Sequence, residues 1–147
     1  KTNTWTENDP MPTARHHISS AQVDGMILII GGRVTEVSSS LDINQKYDPK
    51  NNSWIDLEPM PTRRSGAAAV SVDGYVYVMG GEKISGSFNV VEKYDSRSNS
   101  WTLEQEMPTA RFGLDAVNLD DKIYAIGGKT NQPSESATNV TEIYAPS

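Results

Sequence analysis

Short apolar runs separated by polar turns recur along this chain. Three of them share one ending: MILIIGG (26–32), YVYVMGG (75–81) and KIYAIGG (122–128). Their β-branched and aromatic content predicts strands, and their near-continuous apolar character predicts cover on both faces. Each run follows a small-residue segment such as SGAAAVSV (65–72), with DG (24–25, 73–74) or DD (120–121) between the two. Asp-Gly between apolar runs predicts a tight hairpin, because both residues tolerate positive φ. A third run alternates polar and apolar positions: INQKYD (43–48), VVEKYD (90–95) and VTEIYA (140–145). A turn (DPKNNS or DSRSNS) then leads into a tryptophan-bearing strand that exits at Met-Pro, where the missing N–H ends pairing. No segment carries a helical period, so the chain reads as all-β.

The four-strand pattern is a repeat. MPTAR (11–15), MPTRR (60–64) and MPTAR (107–111) recur about every 48 residues. Gly31-Gly32, Gly80-Gly81 and Gly127-Gly128 keep step with them, as do Tyr47, Tyr94 and Tyr144, and Trp5, Trp54 and Trp101. Paired glycines, then Tyr, then Trp, in a unit of this length, resemble the kelch repeat, and the resemblance covers essentially the whole chain. It implies that each unit is one four-stranded blade of a β-propeller, with its first strand lining a central channel and its Trp strand outermost. The small residues Ser19, Ser20, Ala67, Ala68 and Ala69 suit a crowded inner strand. Tyr and Trp supply rigid faces for packing between blades. The expected units are an outer strand at 1–9 and blades at 13–58, 62–106 and 109–147, the last without its own outer strand.

The opening KTNTWTEN (1–8) matches the Trp strands KNNSWIDL (50–57) and RSNSWTLE (97–104), but no tyrosine strand precedes it. Conversely, Tyr47 and Tyr94 each meet a Trp seven places on, and Tyr144 does not. Propellers usually close with about four to eight blades. The expectation is therefore a homodimeric six-bladed ring of two copies, with residues 1–9 of each chain closing the last blade of the other, as velcro does. The rival expectation is half of a longer single-chain propeller. A first residue other than Met fits a processed chain or a piece of a longer one.

Composition narrows the function classes. The chain carries 13 Lys and Arg against 19 Asp and Glu, a formal net charge of −6, which disfavours a general nucleic-acid binder. There is no cysteine, which excludes disulfides, thiolate chemistry and Cys-based zinc sites. No run approaches the ~18 apolar residues of a membrane span.

In the expected topology one face collects the tight turns, with Asp24, Asp48, Asp73, Asp95, Asp120 and Asp121 serving as turn residues. The opposite face gathers the variable loops 33–46, 82–93 and 129–143, where binding usually resides. There Arg15, Arg64 and Arg111, just before each inner strand, are expected to ring the channel mouth. Arg33, Lys83 and Lys129 follow each glycine pair. The resemblance implies that arginine at the first of these positions contacts acidic peptides. Guanidinium forks suit carboxylates or phosphates, but each Arg can equally bind carbonyls or acids within its own blade. His16 and His17 replace Ser65-Gly66 and Phe112-Gly113; adjacent residues on a strand point oppositely, so joint ligation of one metal is not expected. Asp115 is a further polar residue on an inner strand. Among kelch-type enzymes, copper oxidases need a Tyr–Cys crosslink and iron-using specifier proteins a carboxylate/His cluster; neither pattern is present. The expected function is a non-enzymatic module binding a protein, acidic peptide or anionic glycan through the loop face, with no cofactor or metal. The alternatives are a sialic-acid-type mutarotase and a scaffold fragment without a ligand of its own.

Overall fold

The computed structural model describes residues 3–131 and 136–147. Among these there is no α-helix, only a 3₁₀ turn at Val37–Ser39. Three antiparallel sheets follow one another along the chain. The first contains β1 (Ser19–Val23), β2 (Met26–Ile30), β3 (Asn44–Asp48) and β4 (Ser53–Asp56), in that spatial order. The second contains β5 (Ala68–Val72) and β6 (Tyr75–Met79), then a short ribbon of β7 (Glu82–Lys83) and β8 (Gly86–Ser87), then β9 (Val91–Asp95) and β10 (Ser100–Leu103). The third contains β11 (Asp115–Leu119) and β12 (Lys122–Ile126), a ribbon of β13 (Lys129–Thr130) and β14 (Ser136–Ala137), and β15 (Thr141–Tyr144).

The local chemistry accounts for these elements. All three inner hairpins turn on two residues at positive φ: Asp24 and Gly25 (51° and 75°), Asp73 and Gly74 (50° and 82°), Asp120 and Asp121 (52° and 58°). That geometry matches the twist of the flanking strands. The outer hairpins place Tyr47 opposite Trp54 and Tyr94 opposite Trp101, with ring centroids 5.0 Å apart in both pairs. In the third sheet, among the described residues, β15 pairs with β12 alone. Residues 3–9 form no strand within the single chain, and Trp5 is fully exposed. The outer strand expected over 1–9 is one that pairs with a second copy, which the single chain does not contain, and residues 1 and 2 lie outside the described residues.

The sheets pack face to face, and each interface is its own core. Leu28, Ile30, Met60, Val76, Val78 and Tyr94 fill the first interface; Val70, Tyr77, Met79, Met107, Ile123 and Ala125 fill the second. The inner strands β1, β5 and β11 lie side by side. Ser19 donates to the carbonyl of Ala67 (2.8 Å) and Asn118 to that of Ser71 (3.1 Å). A thread of backbone bonds crosses the units as well: the Gly66 amide donates to the His17 carbonyl (2.9 Å), and the Gly113 amide to the Gly66 carbonyl (2.8 Å).

The glycine pairs explain how closely the units approach. A Cβ on Gly31 would lie 2.6 Å from the Arg64 carbonyl oxygen, and one on Gly80 would lie 2.5 Å from that of Arg111. Both positions also have positive φ, so only glycine fits. Among the described residues a Cβ on Gly127 would meet nothing closer than the Thr138 carbonyl oxygen at 3.7 Å.

The same periodicity exposes the two end faces. Ile30 and Met79 are 0% and 2% accessible, but Ile126 at the equivalent position is 44% accessible. Val23 and Val72 are 5% and 3% accessible, against 58% for Leu119. On the opposite end, Ile27 is half-exposed where its counterparts Val76 and Ile123 are fully buried.

Candidate functional site

The three MPT-Arg segments enter their sheets in the same way, and their arginines turn into the sheets. Arg64 donates to the carbonyls of Gly80, Val90 and Val78 and to Glu92 Oε2 (2.7 Å). Arg111 repeats this with Gly127, Val140, Ala125 and Glu142 (2.9 Å). Arg15 binds the carbonyls of Gly31 and Ile29, and Gln45 stands where the acids stand elsewhere (2.7 Å). Each guanidinium thus braces the second strand of its sheet to the third. Arg64 and Arg111 are buried at 1% and 0% accessibility, which corrects the expectation that they are offered to a ligand. Desolvation lowers the Arg64 pKa to about 10, partly offset by Glu92, and burial also pushes Arg15 down, with Asp56 opposing. The partner position was visible in the sequence as the Gln or Glu two places before each repeat tyrosine.

The loop face is built from bridges between the segment entering each inner strand and the loop after each glycine pair: His16 with Arg33, Ser65 with Glu82, Phe112 with Lys129. Arg33, Glu82 and Lys129 therefore hold equivalent positions, and Lys83 lies one place further on. Arg33 of the first unit forms an ion pair with Glu82 of the second and also contacts His17 Nε2 (3.2 Å). Sequence reasoning passed over Glu82 in favour of Lys83; aligning the residue directly after each glycine pair would have found it.

The two histidines depart from the expectation of opposite orientation. His17 occupies the slot of Gly66 and Gly113 and adopts their positive φ, 54° beside 62° and 60°. This turns both rings to the same side, their Nδ1 atoms 2.6 Å apart. Among the described residues no three His, Cys, Asp or Glu side chains gather in a way that could hold a metal ion. Asp115 accepts from the Ala116 amide at the exposed end of the third sheet.

A cleft of about 540 Å³ opens on this face, lined among others by Arg33, Glu36, Glu82, Lys83, Phe112 and Asn131. The lysines rest on aromatic rings, Lys83 Nζ 5.2 Å from the Phe88 centroid and Lys129 Nζ 5.8 Å from that of Phe112. Such a cleft can hold an extended polar or anionic segment with an aromatic floor beside it. The loop 129–143 lies partly outside the described residues. On the opposite face, Asp48 and Asp95 accept amides of their own turns (Lys50 and Arg97), which lowers both carboxyl pKa values, as expected of turn residues.

Repeated antiparallel sheets stacked face to face, with glycine pairs at each junction and a guanidinium brace in each sheet, define an all-β repeat protein. A family model described as the KLHDC2/KLHL20/DRC7 Kelch-repeats domain matches residues 1–144, and the chain belongs to the kelch-repeat family. No curated protein matches the chain.

Proposed function

We propose that this kelch domain is a non-enzymatic interaction module that takes an anionic segment of a protein, peptide or glycan across its loop face. Lys83 carries this reading: it lines the cleft with the Phe88 ring beside it and Phe112 nearby, in loops held by rigid sheets, while Arg33 is already paired with Glu82. Calorimetry with a hexaglutamate peptide and a sialylated oligosaccharide tests it. Lys83→Glu should weaken whichever probe binds by about tenfold or more, since it reverses a charge at the cleft, with the thermal midpoint unchanged. Binding indifferent to Lys83→Glu, or no binding of either probe, defeats the reading. NMR turnover of free sialic acid would replace it with the mutarotase alternative.

The propeller is completed, in the same proposal, by a second copy, giving six blades. The buried positions of the internal interfaces reappear, exposed, on the two end faces: Ile27 on one, Leu119 and Ile126 on the other. Light scattering decides the matter; a monodisperse species of 16.1 kDa overturns it.

A further inference from the structure

We infer that the interface between the first and second sheets holds a site for a small aryl carboxylate, at the turn end of the strands, away from the cleft at Lys83. The ligand class is one aromatic ring with a carboxylate on a short arm. The reason lies in how the two internal interfaces differ at equivalent positions of the repeat.

Between the second and third sheets, the turn end is closed by rings and an acid. Lys93 on β9 sets its Nζ over the Tyr75 ring (5.3 Å to the centroid) and pairs with Glu104 Oε1 (2.6 Å). The other oxygen of Glu104 accepts from the Tyr144 hydroxyl (2.9 Å). Tyr77 is buried beside them, its ring centroid 6.1 Å from that of Tyr144. This lysine thus receives a π face and a counter-charge from its own unit.

Between the first and second sheets, three of these positions change together and the lysine stays. Met26 stands for Tyr75, Leu28 for Tyr77 and Leu57 for Glu104, around Lys46. Among the described residues the Lys46 ammonium has no ion pair, no hydrogen bond and no ring beneath it. A pocket of about 180 Å³ opens there, lined by Lys46 and by the apolar Val23, Met26, Leu28, Leu57 and Tyr94. Leu28 and Tyr94 are core side chains, so these walls are fixed. At the rim Asp24 is engaged by the Ser96 hydroxyl (3.0 Å), and Arg97 adds a second cation.

The second interface therefore gives its lysine a ring and a carboxylate from within the chain. The first gives Lys46 neither, and sets an apolar pocket beside it. A ligand that restores both is an aryl carboxylate, its ring among Met26, Leu28, Leu57 and Tyr94 and its carboxylate on Lys46. The pocket is smaller than the ~300 Å³ at which drug-sized sites begin, which limits the ligand to a single ring. Charge sets the rest: an aryl amine would meet Lys46 and Arg97 as like charges, and a neutral ring would leave the ammonium without a partner.

The test is a titration of the native chain with 3-phenylpropionate, followed by amide NMR. Saturable shifts at Leu28, Lys46 and Ser96, with a Kd of about 1 mM, support the inference; that is the scale of a single-ring ligand. The neutral 3-phenylpropanamide should bind about tenfold more weakly, having lost the charged hydrogen bond. Lys46→Gln should weaken the acid by a similar factor and leave the amide unchanged. Met26→Tyr with Leu57→Glu rebuilds the second interface's arrangement around Lys46 and should abolish binding of the acid. The amide comparison and Lys46→Gln read the site whether or not that double variant folds. No saturable shift up to about 10 mM, ten times the expected Kd, overturns the inference. So does equal affinity for acid and amide, or binding that survives in the folded double variant. Shifts confined to the residues around Lys83 would assign the acid to the loop face and overturn this site while leaving the proposed function standing.

Discussion

Arg64 is a charge held where water does not reach. Four hydrogen bonds to three carbonyls and Glu92 replace its hydration shell. Removing one member strands the other, so Arg64→Ala should cost about 3–5 kcal/mol in urea unfolding. Arg64→Lys should recover little, because an ammonium cannot reproduce the planar fork. Tyr144 offers a second check. Burial first, then its bond to Glu104, raises its pKa to about 12. A phenol that resists ionisation when folded favours the folded state fully below the unfolded value near 10, and that contribution is lost as pH rises from there through 12. Ultraviolet difference titration of Tyr144→Phe against the native chain should show the missing phenol titrating near 12, rather than near 10.

The repeating element was legible in the sequence because its signals are local. Asp-Gly turns, strand periodicity and paired glycines each depend on a few neighbouring residues. The glycine role has a sharper form in the structure. Gly80→Ala drives a Cβ into the Arg111 carbonyl, whereas Gly127→Ala meets only the φ penalty, about 1–2 kcal/mol. Below the dimer Kd, chemical denaturation should therefore show Gly80→Ala as the more damaging change. In an assembled ring the two should become equally damaging, because the partner's next unit then presses on Gly127. The site was less legible. The arginines repeat in every unit because they are braces, and the sequence could not separate a repeated brace from a repeated binding group. His17 was misread for a related reason: its orientation follows from a left-handed backbone that Gly66 and Gly113 disclose only once the three units are aligned.

At the scale of the whole molecule, two interfaces are satisfied internally and two faces are not. Ile126 lies at a position that is otherwise sealed, and a charge there would be desolvated on assembly without a partner. Ile126→Asp should leave the chain folded by circular dichroism but monomeric by light scattering; a dimer that tolerates it would place the contact elsewhere.

The thread through His17, Gly66 and Gly113 has a sense of travel. Every link gives its hydrogen backward and none forward. Pieces built this way can be joined only like railway carriages, coupling to buffer in one order. A mirror-like union of two third sheets, attractive for its exposed isoleucines, would set receiving ends against each other and break the sequence of links. A union of two copies would have to continue this thread, along with the forward links from the Gly32 and Gly81 amides to the Arg64 and Arg111 carbonyls, as well as cover the exposed isoleucines.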